Sequence, residues 1–210
     1  MYYATVAITV GIFMMLTMGL NIITGYTGQV SLGHAAFFGI GAYTSALLSV
    51  KAGVPFWFAL PLAGLVTAAI GAILGAISTR LHDDSLAITT IGINFVVVSV
   101  FQYTQFFGDA LGIGGIQYPS VFGHTLTKPE YLLVVVLCIL LGIWFDRRLV
   151  RSWLGLALRA VGQNEEAAQS LGVPSARFKI AAFAIGTAYA GVAGSLYAHF
   201  MTFINARDFG

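Results

Sequence analysis

The sequence predicts an all-α polytopic membrane helix bundle of about five to six spans, with one broken helix and a polar helical loop on one face. Two observations carry that prediction. Of 210 residues, 58% are hydrophobic and only 9% charged, where soluble domains run to roughly 25% charged. The apolar residues also fall in runs close to the ~20 that cross a ~30 Å hydrocarbon core as helix. The chain reads as one transmembrane domain, 1–210, whose one long polar segment is 146–179.

Four spans are clear along the chain: Thr5 to Ile23, Phe56 to Ile77, Leu86 to Phe107 and Ile180 to Met201. A fifth run, Tyr131 to Phe145, is short unless Thr125 to Glu130 joins it with Lys128 snorkelling outward. Gly25 to Val50 starts with glycines and polar side chains and turns apolar only at Ala35, the pattern of a broken helix. Irregular backbone at membrane depth persists only where protein or a water-filled cavity satisfies it, so the break predicts a lined path. Ser31 is the expected N-cap of the half-helix that follows. An ordinary surface turn from Gly25 to Gln29 is the competing reading.

Lys and Arg mark the cytoplasmic loops. Arg80, Arg147, Arg148, Arg151, Arg159, Arg177 and Lys179 fall on one side, seven of the ten basic residues, and Lys51, Lys128 and Arg207 on the other. This places Met1 outside, and an N-out start points to a preceding span. MYYATVAITV has no basic n-region, so the first span is not a signal peptide. The lone Cys138 excludes a disulfide framework within the chain. The net charge of +2 is a topology signal and not a nucleic-acid footprint. Gly71 and Gly75, Gly41 and Ser45, and Gly191 and Ser195 are small-residue pairs that let helix backbones approach closely.

Enzymatic constellations are missing from the sequence: it has no GxSxG, HExxH or CxxC. Ser31 and His34 share a helix face, the spacing of a nucleophile and base, but no orienting carboxylate lies nearby in sequence. His82, Asp83 and Asp84 are metal-ligand types, yet adjacent residues point apart, and a short loop is the expected home. No metal or cofactor is expected. Lys51, Lys128 and Lys179 follow Val50, Thr127 and Phe178, so there is no Gly-Lys phosphate loop, and any use of ATP requires a partner.

The polar segment is built to fold. Leu154, Ala157, Leu158 and Val161 form one apolar stripe with Arg159 off it. A second short helix has Asn164 as N-cap, Glu165 and Glu166 complementing the dipole, Gly172 in the left-handed C′ position, and Pro174 blocking continuation. Carboxylates at its start suit a protein groove better than anionic headgroups.

Glu166-Ala167-Ala168 followed by Gly172 resembles the E-A-A-x-x-x-G coupling motif of ATP-binding-cassette (ABC) importer permeases. The wider stretches Gly155 to Val161 and Glu165 to Val173 resemble branched-chain amino acid permeases, close to the LivM-type inner-membrane subunit. So do Gly19-Leu20-Asn21, the run Gly25 to Tyr43, and Arg80-Leu81 through Leu86 to Thr90. The likeness covers nearly the whole chain. Leu156, Gly162 and Gln163 depart from it, standing where a basic, a second basic and an acidic residue are expected, as do His82 and Asp83.

The resemblance implies a non-catalytic permease subunit in a prokaryotic inner membrane. Its partners would be ABC ATPase subunits, a second permease subunit forming a heterodimer, and a periplasmic or extracellular substrate-binding protein. ATPase coupling falls to Arg159, Asn164, Glu165, Glu166, Ala167, Ala168 and Gly172. The expected path residues are Gln29, Ser31 and His34 at the break, with Asn21 and Asn94 buried in neighbouring spans. The glycine-rich segment Gly108 to Gly123 is expected to dock the binding protein, close an outer gate, or be a plain flexible loop. Family members have a further span at each end, so a fragment or short form is expected. Substrate stays open among branched-chain amino acids, urea, amides, sugars and nucleosides. An ion-coupled secondary transporter is the alternative from another class, but the acidic residues it places within spans all lie here at loops or span ends. An intramembrane enzyme using Ser31 and His34 is the third.

Overall fold

The computed structural model describes residues 2–79, 83–121 and 124–210. Readings placed on Arg80, Leu81, His82, Gly123 and the side chains of Asp83 and Asp84 lie outside the described residues. Eight helices follow in order: α1 Tyr2–Leu20, running on as a π-helix over Asn21–Tyr26; α2 His34–Ala52; α3 Phe56–Ser78; α4 Asp83–Tyr103; α5 Lys128–Val150; α6 Trp153–Gln163; α7 Glu165–Ser170; and α8 Ser175–Met201. Tyr2–Tyr26, α2, α3, Ser85–Tyr103 and α8 are each long and apolar enough to cross a bilayer. The 23-residue α5 lies beside α1.

Two of the spans differ from the sequence reading. The Leu86 to Phe107 run breaks at Tyr103, because Thr104 is extended and Gly108 and Gly112 adopt left-handed φ of 88° and 77°. Phe106 and Phe107 form a short 3₁₀ turn instead, and Phe107 folds back on Tyr43 and Phe101 with centroids 5.8 and 5.1 Å away. Only Lys128 to Glu130 join the fifth run. Thr127 caps it through a capping box, the Glu130 carboxylate accepting from the Thr127 N–H at 2.6 Å, while Thr125 pairs with Ser120 in a two-residue ladder. The Lys128 ammonium donates to the Thr5 hydroxyl at 3.2 Å, which puts the starts of α1 and α5 at the same end.

α8 is the axis of the bundle, and small residues explain why. A Cβ at Gly19 would meet the Gly186 carbonyl, one at Gly41 would meet the Gly191 backbone, and one at Gly71 would meet the Thr187 side chain. α1 and α2 therefore approach α8 backbone to backbone, as does α3 where a Cβ at Gly191 would meet the Ala63 carbonyl oxygen, the packing that small-residue pairs permit where lipid supplies no hydrophobic drive. Ser45 and Ser195, the second members of two predicted pairs, hydrogen-bond across that interface at 2.7 Å.

Candidate functional site

The polar segment folds as the sequence predicts. Asn164 Oδ1 accepts from the Ala167 N–H at 2.9 Å, Glu165 and Glu166 occupy the first turn of α7, and Gly172 has φ 83°. The α6 stripe is turned inward, with Ala157, Leu158 and Val161 buried. Lys179 at the base of α8 donates to Glu165 at 2.6 Å, and Gln169 donates to the Ser175 hydroxyl at 2.7 Å, so α7 is strapped to the last span. Burial alone would raise the Glu165 carboxyl, but hydrogen bonds from Lys179, Ser175 and Gln169 and the Lys179 charge outweigh it and hold the group below its usual range.

What remains outward is a compact patch. Glu166, Ala167, Gly172 and Arg159 are exposed, whereas Ala168 packs inward. Leu171, at the tip between α7 and Gly172, is 86% exposed, and Trp153 and Leu156 are also bare. A six-residue capped helix thus ends in a bare leucine. The sequence reading passed over Leu171, although a leucine between a helix end and a left-handed glycine was visible in it.

The break lies beside this loop. The π-helix ends at Tyr26, Gly28 turns the chain with φ 70°, and α2 begins only at His34. Ser31 does not cap α2: the N-cap is Gly33 with no side-chain bond, and the Ser31 hydroxyl is buried without a partner. The chain is still turning at Ser31, held by Thr90 of α4, whose hydroxyl accepts from the Leu32 N–H at 3.0 Å. Gln29 is buried, its amide donating to the Ser78 hydroxyl on α3 at 3.5 Å. His34 Nε2 lies 3.2 Å from the Leu16 carbonyl, leaving Nδ1 unpartnered. Gln29, Ser31 and His34 are thus drawn into one buried turn. Around it, Gly33, Phe37, Ser78 and Thr90 help line a cavity of about 10 Å³, room for at most one water.

Asn21 and Asn94 are not brought together with that turn by any bond. Asn21 is exposed rather than buried, and its amide covers Gly25. Asn94 is half-buried, with Oδ1 unpartnered.

At the opposite end, the segment from Gly108 is stitched down. Ile113–Gly114 pairs antiparallel with Phe203–Ile204, the Trp57 indole donates to the Ser120 carbonyl at 3.0 Å, and Lys51 donates to the Phe106 carbonyl at 2.8 Å. Its deepest anchor is His199. The ring Nδ1 lies 2.8 Å from the Gln117 carbonyl and Nε2 lies 3.0 Å from the Ser45 hydroxyl, itself bonded to Ser195. Nδ1–H donating to Gln117 leaves Nε2 to accept from Ser45. A histidine inside an apolar run was the signal available in the sequence.

A bundle of apolar helices closed around a buried polar turn, with a capped helix projecting beside it, defines a class: an all-α polytopic bundle with helices long and apolar enough to cross a membrane. The chain belongs to the family described as branched-chain amino acid transport system / permease component, whose model matches residues 2–210. It is 36% identical over 223 aligned positions to the high-affinity branched-chain amino acid transport system permease protein LivM of Salmonella typhimurium, covering 94% of this chain and 52% of that protein. The Escherichia coli LivM is 35% identical over the same shares. The nucleoside ABC transporter permease protein NupC of Lactococcus lactis is 24% identical, covering 81% of this chain and 59% of that protein. The chain therefore spans about half the length of the curated relatives it matches. No solved structure matches the chain.

Proposed function

We propose that this chain is the membrane permease component of an ATP-binding-cassette importer for branched-chain amino acids in a prokaryotic cytoplasmic membrane. Its relatives named LivM support that substrate class. The observation that carries the coupling assignment is α7, capped by Asn164, strapped to α8 by Glu165–Lys179, and presenting Glu166, Ala167, Leu171 and Gly172 to whatever lies beyond. Arg159 borders the same surface, and Ala168 fixes α7 to the bundle. ATPase subunits would seat there and supply the hydrolysis, a second permease subunit would complete the path, and a binding protein would deliver solute at the Gly108 end. The path itself would run past Gln29, Ser31 and His34, with Asn94 near it, and Asn21 facing a neighbouring subunit.

Polar atoms buried without partners are costly to hold. Ser31 Oγ, His34 Nδ1 and Asn94 Oδ1 would find partners when the turn opens and admits water or solute. Alternating access then amounts to two packings of the same turn, biased by the ATPases. The test is uptake of leucine, isoleucine and valine in cells carrying Glu166→Lys or Gly172→Leu. Both variants should reach the membrane and lose uptake; unchanged uptake in both would sink the assignment. Uptake of nucleosides or amides in place of the three amino acids would keep the machine and change its cargo.

A further inference from the structure

The outward helix α7 packs on α6, and α6 in turn meets the break. Gly162, in the last turn of α6, lies against the end of the π-helix. A Cβ there would meet the Tyr26 carbonyl oxygen and stand 3.1 Å from the Thr27 carbonyl carbon. From the other side, a Cβ on Gly28 would stand 3.5 Å from the Gly162 carbonyl oxygen. One turn earlier on α6, the Arg159 guanidinium lies over the Tyr26 ring, 5.5 Å from its centroid. Two bare backbones meet here, with a cation over a ring beside them.

The turn they meet is the one that carries the buried polar groups. Thr27 Oγ1 is 2.6 Å from the Ile23 carbonyl and 3.0 Å from Gln29 Oε1, and the Gln29 amide reaches Ser78 of α3. Upstream, Asn21–Tyr26 is in π register. A π-turn carries one residue more per hydrogen-bonded ring than an α-turn, so it can shift register without unravelling the span, and such turns gather at functional sites. Gly28 then needs φ 70°, a conformation that glycine adopts freely and most residues do not.

We propose that Gly28 and Gly162 are positioning residues of the transport cycle. Their contact joins the α6–α7 pair and the Tyr26–Gln29 turn into one rigid body, so that displacement of α7 moves Gln29 and, through Ser78, the inner end of α3. This rests on the reading of α7 as the ATPase-facing helix. It also gives Gly162 a role: where the family resemblance expects a long basic side chain, this chain closes backbone onto backbone.

The experiment uses the permease in its native complex with Cys138→Ser, and spin labels on cysteines placed at Val30 and Gln163, both exposed. The Val30–Gln163 distance should be the same in nucleotide-free and ATP-trapped states, while each label moves relative to a third at Leu111 on the opposite end. A Val30–Gln163 distance that changes between the two states overturns the proposal. In parallel, Gly28→Ala should keep ATPase assembly and stimulated ATP hydrolysis but lower uptake per ATP about tenfold. Gly28→Asn, which tolerates positive φ, should recover most of it. Equal uptake per ATP in Gly28→Ala and the unsubstituted chain also overturns the proposal. Failure of the coupling reading would look different: no label would move with ATP, whatever the Val30–Gln163 distance.

Discussion

The two polar segments at opposite ends of the bundle are built on different plans. The segment from Gly108 is fastened at many points to side chains rooted in the spans: Lys51, Trp57, and His199 with its serine relay. The segment from Arg151 to Lys179 is fastened to itself, to the base of α8 and, through Gly162 and Arg159, to the break at Tyr26 to Gly28. A segment held at many points follows the helices beneath it. A segment held internally and resting on the turn at the break is placed to drive them. On the proposed coupling reading, control runs from the α7 end toward the buried turn.

The largest test of that contrast is His199→Leu. It strips the Gln117 carbonyl of its His199 partner, at about 1–3 kcal/mol for a buried polar group left unsatisfied, and leaves the Ser45 hydroxyl with Ser195 alone. The melting temperature in detergent should fall, and amide exchange at Ile113 to Gln117 should rise, with exchange in α7 unchanged. Unaltered protection of that segment would break the comparison. Next in size is Asn164→Ala, which removes the α7 cap, worth about 1 kcal/mol. Exchange should rise in α7 alone, and ATPase association should weaken with the outer segment untouched.

The smallest effect is the Glu165–Lys179 strap. The Glu165 carboxyl is held below its ordinary range in the folded chain, so its stabilisation is fully present above the unfolded value and is lost as pH falls through the lowered folded value. The pair is partly exposed, which limits it to a few tenths of a kcal/mol. The difference in melting temperature between the unsubstituted chain and Glu165→Gln should be small at neutral pH and vanish in acid. A difference that persists at the lowest pH would assign the strap to packing rather than charge.

Much of this was legible in the residues. The spans were readable because hydrocarbon thickness dictates their length, and α7 because Asn164, Gly172 and Pro174 punctuate it within a few positions. The small-residue pairs pointed to close packing, and Gly41, Gly71 and Ser195 perform it. What the sequence hid was register and distance. Nothing in Asn21-Ile22-Ile23-Thr24-Gly25-Tyr26 separates π from α, and nothing in it told that Asn21 is exposed. The capping role expected of Ser31 failed because the turn continues to Gly33, pinned by a threonine 58 positions away. His199 finds Ser45 across 154 positions, a partnership that only the bundle creates.

The measurement that most directly tests the account is copurification. The chain, tagged in its native membrane and solubilised gently, should recover ABC ATPase subunits and a second permease at fixed stoichiometry by mass spectrometry, and Leu171→Asp should lose the ATPases while keeping the second permease. Recovery of the unsubstituted chain alone, or ATPases held equally by the Leu171→Asp chain, would contradict it.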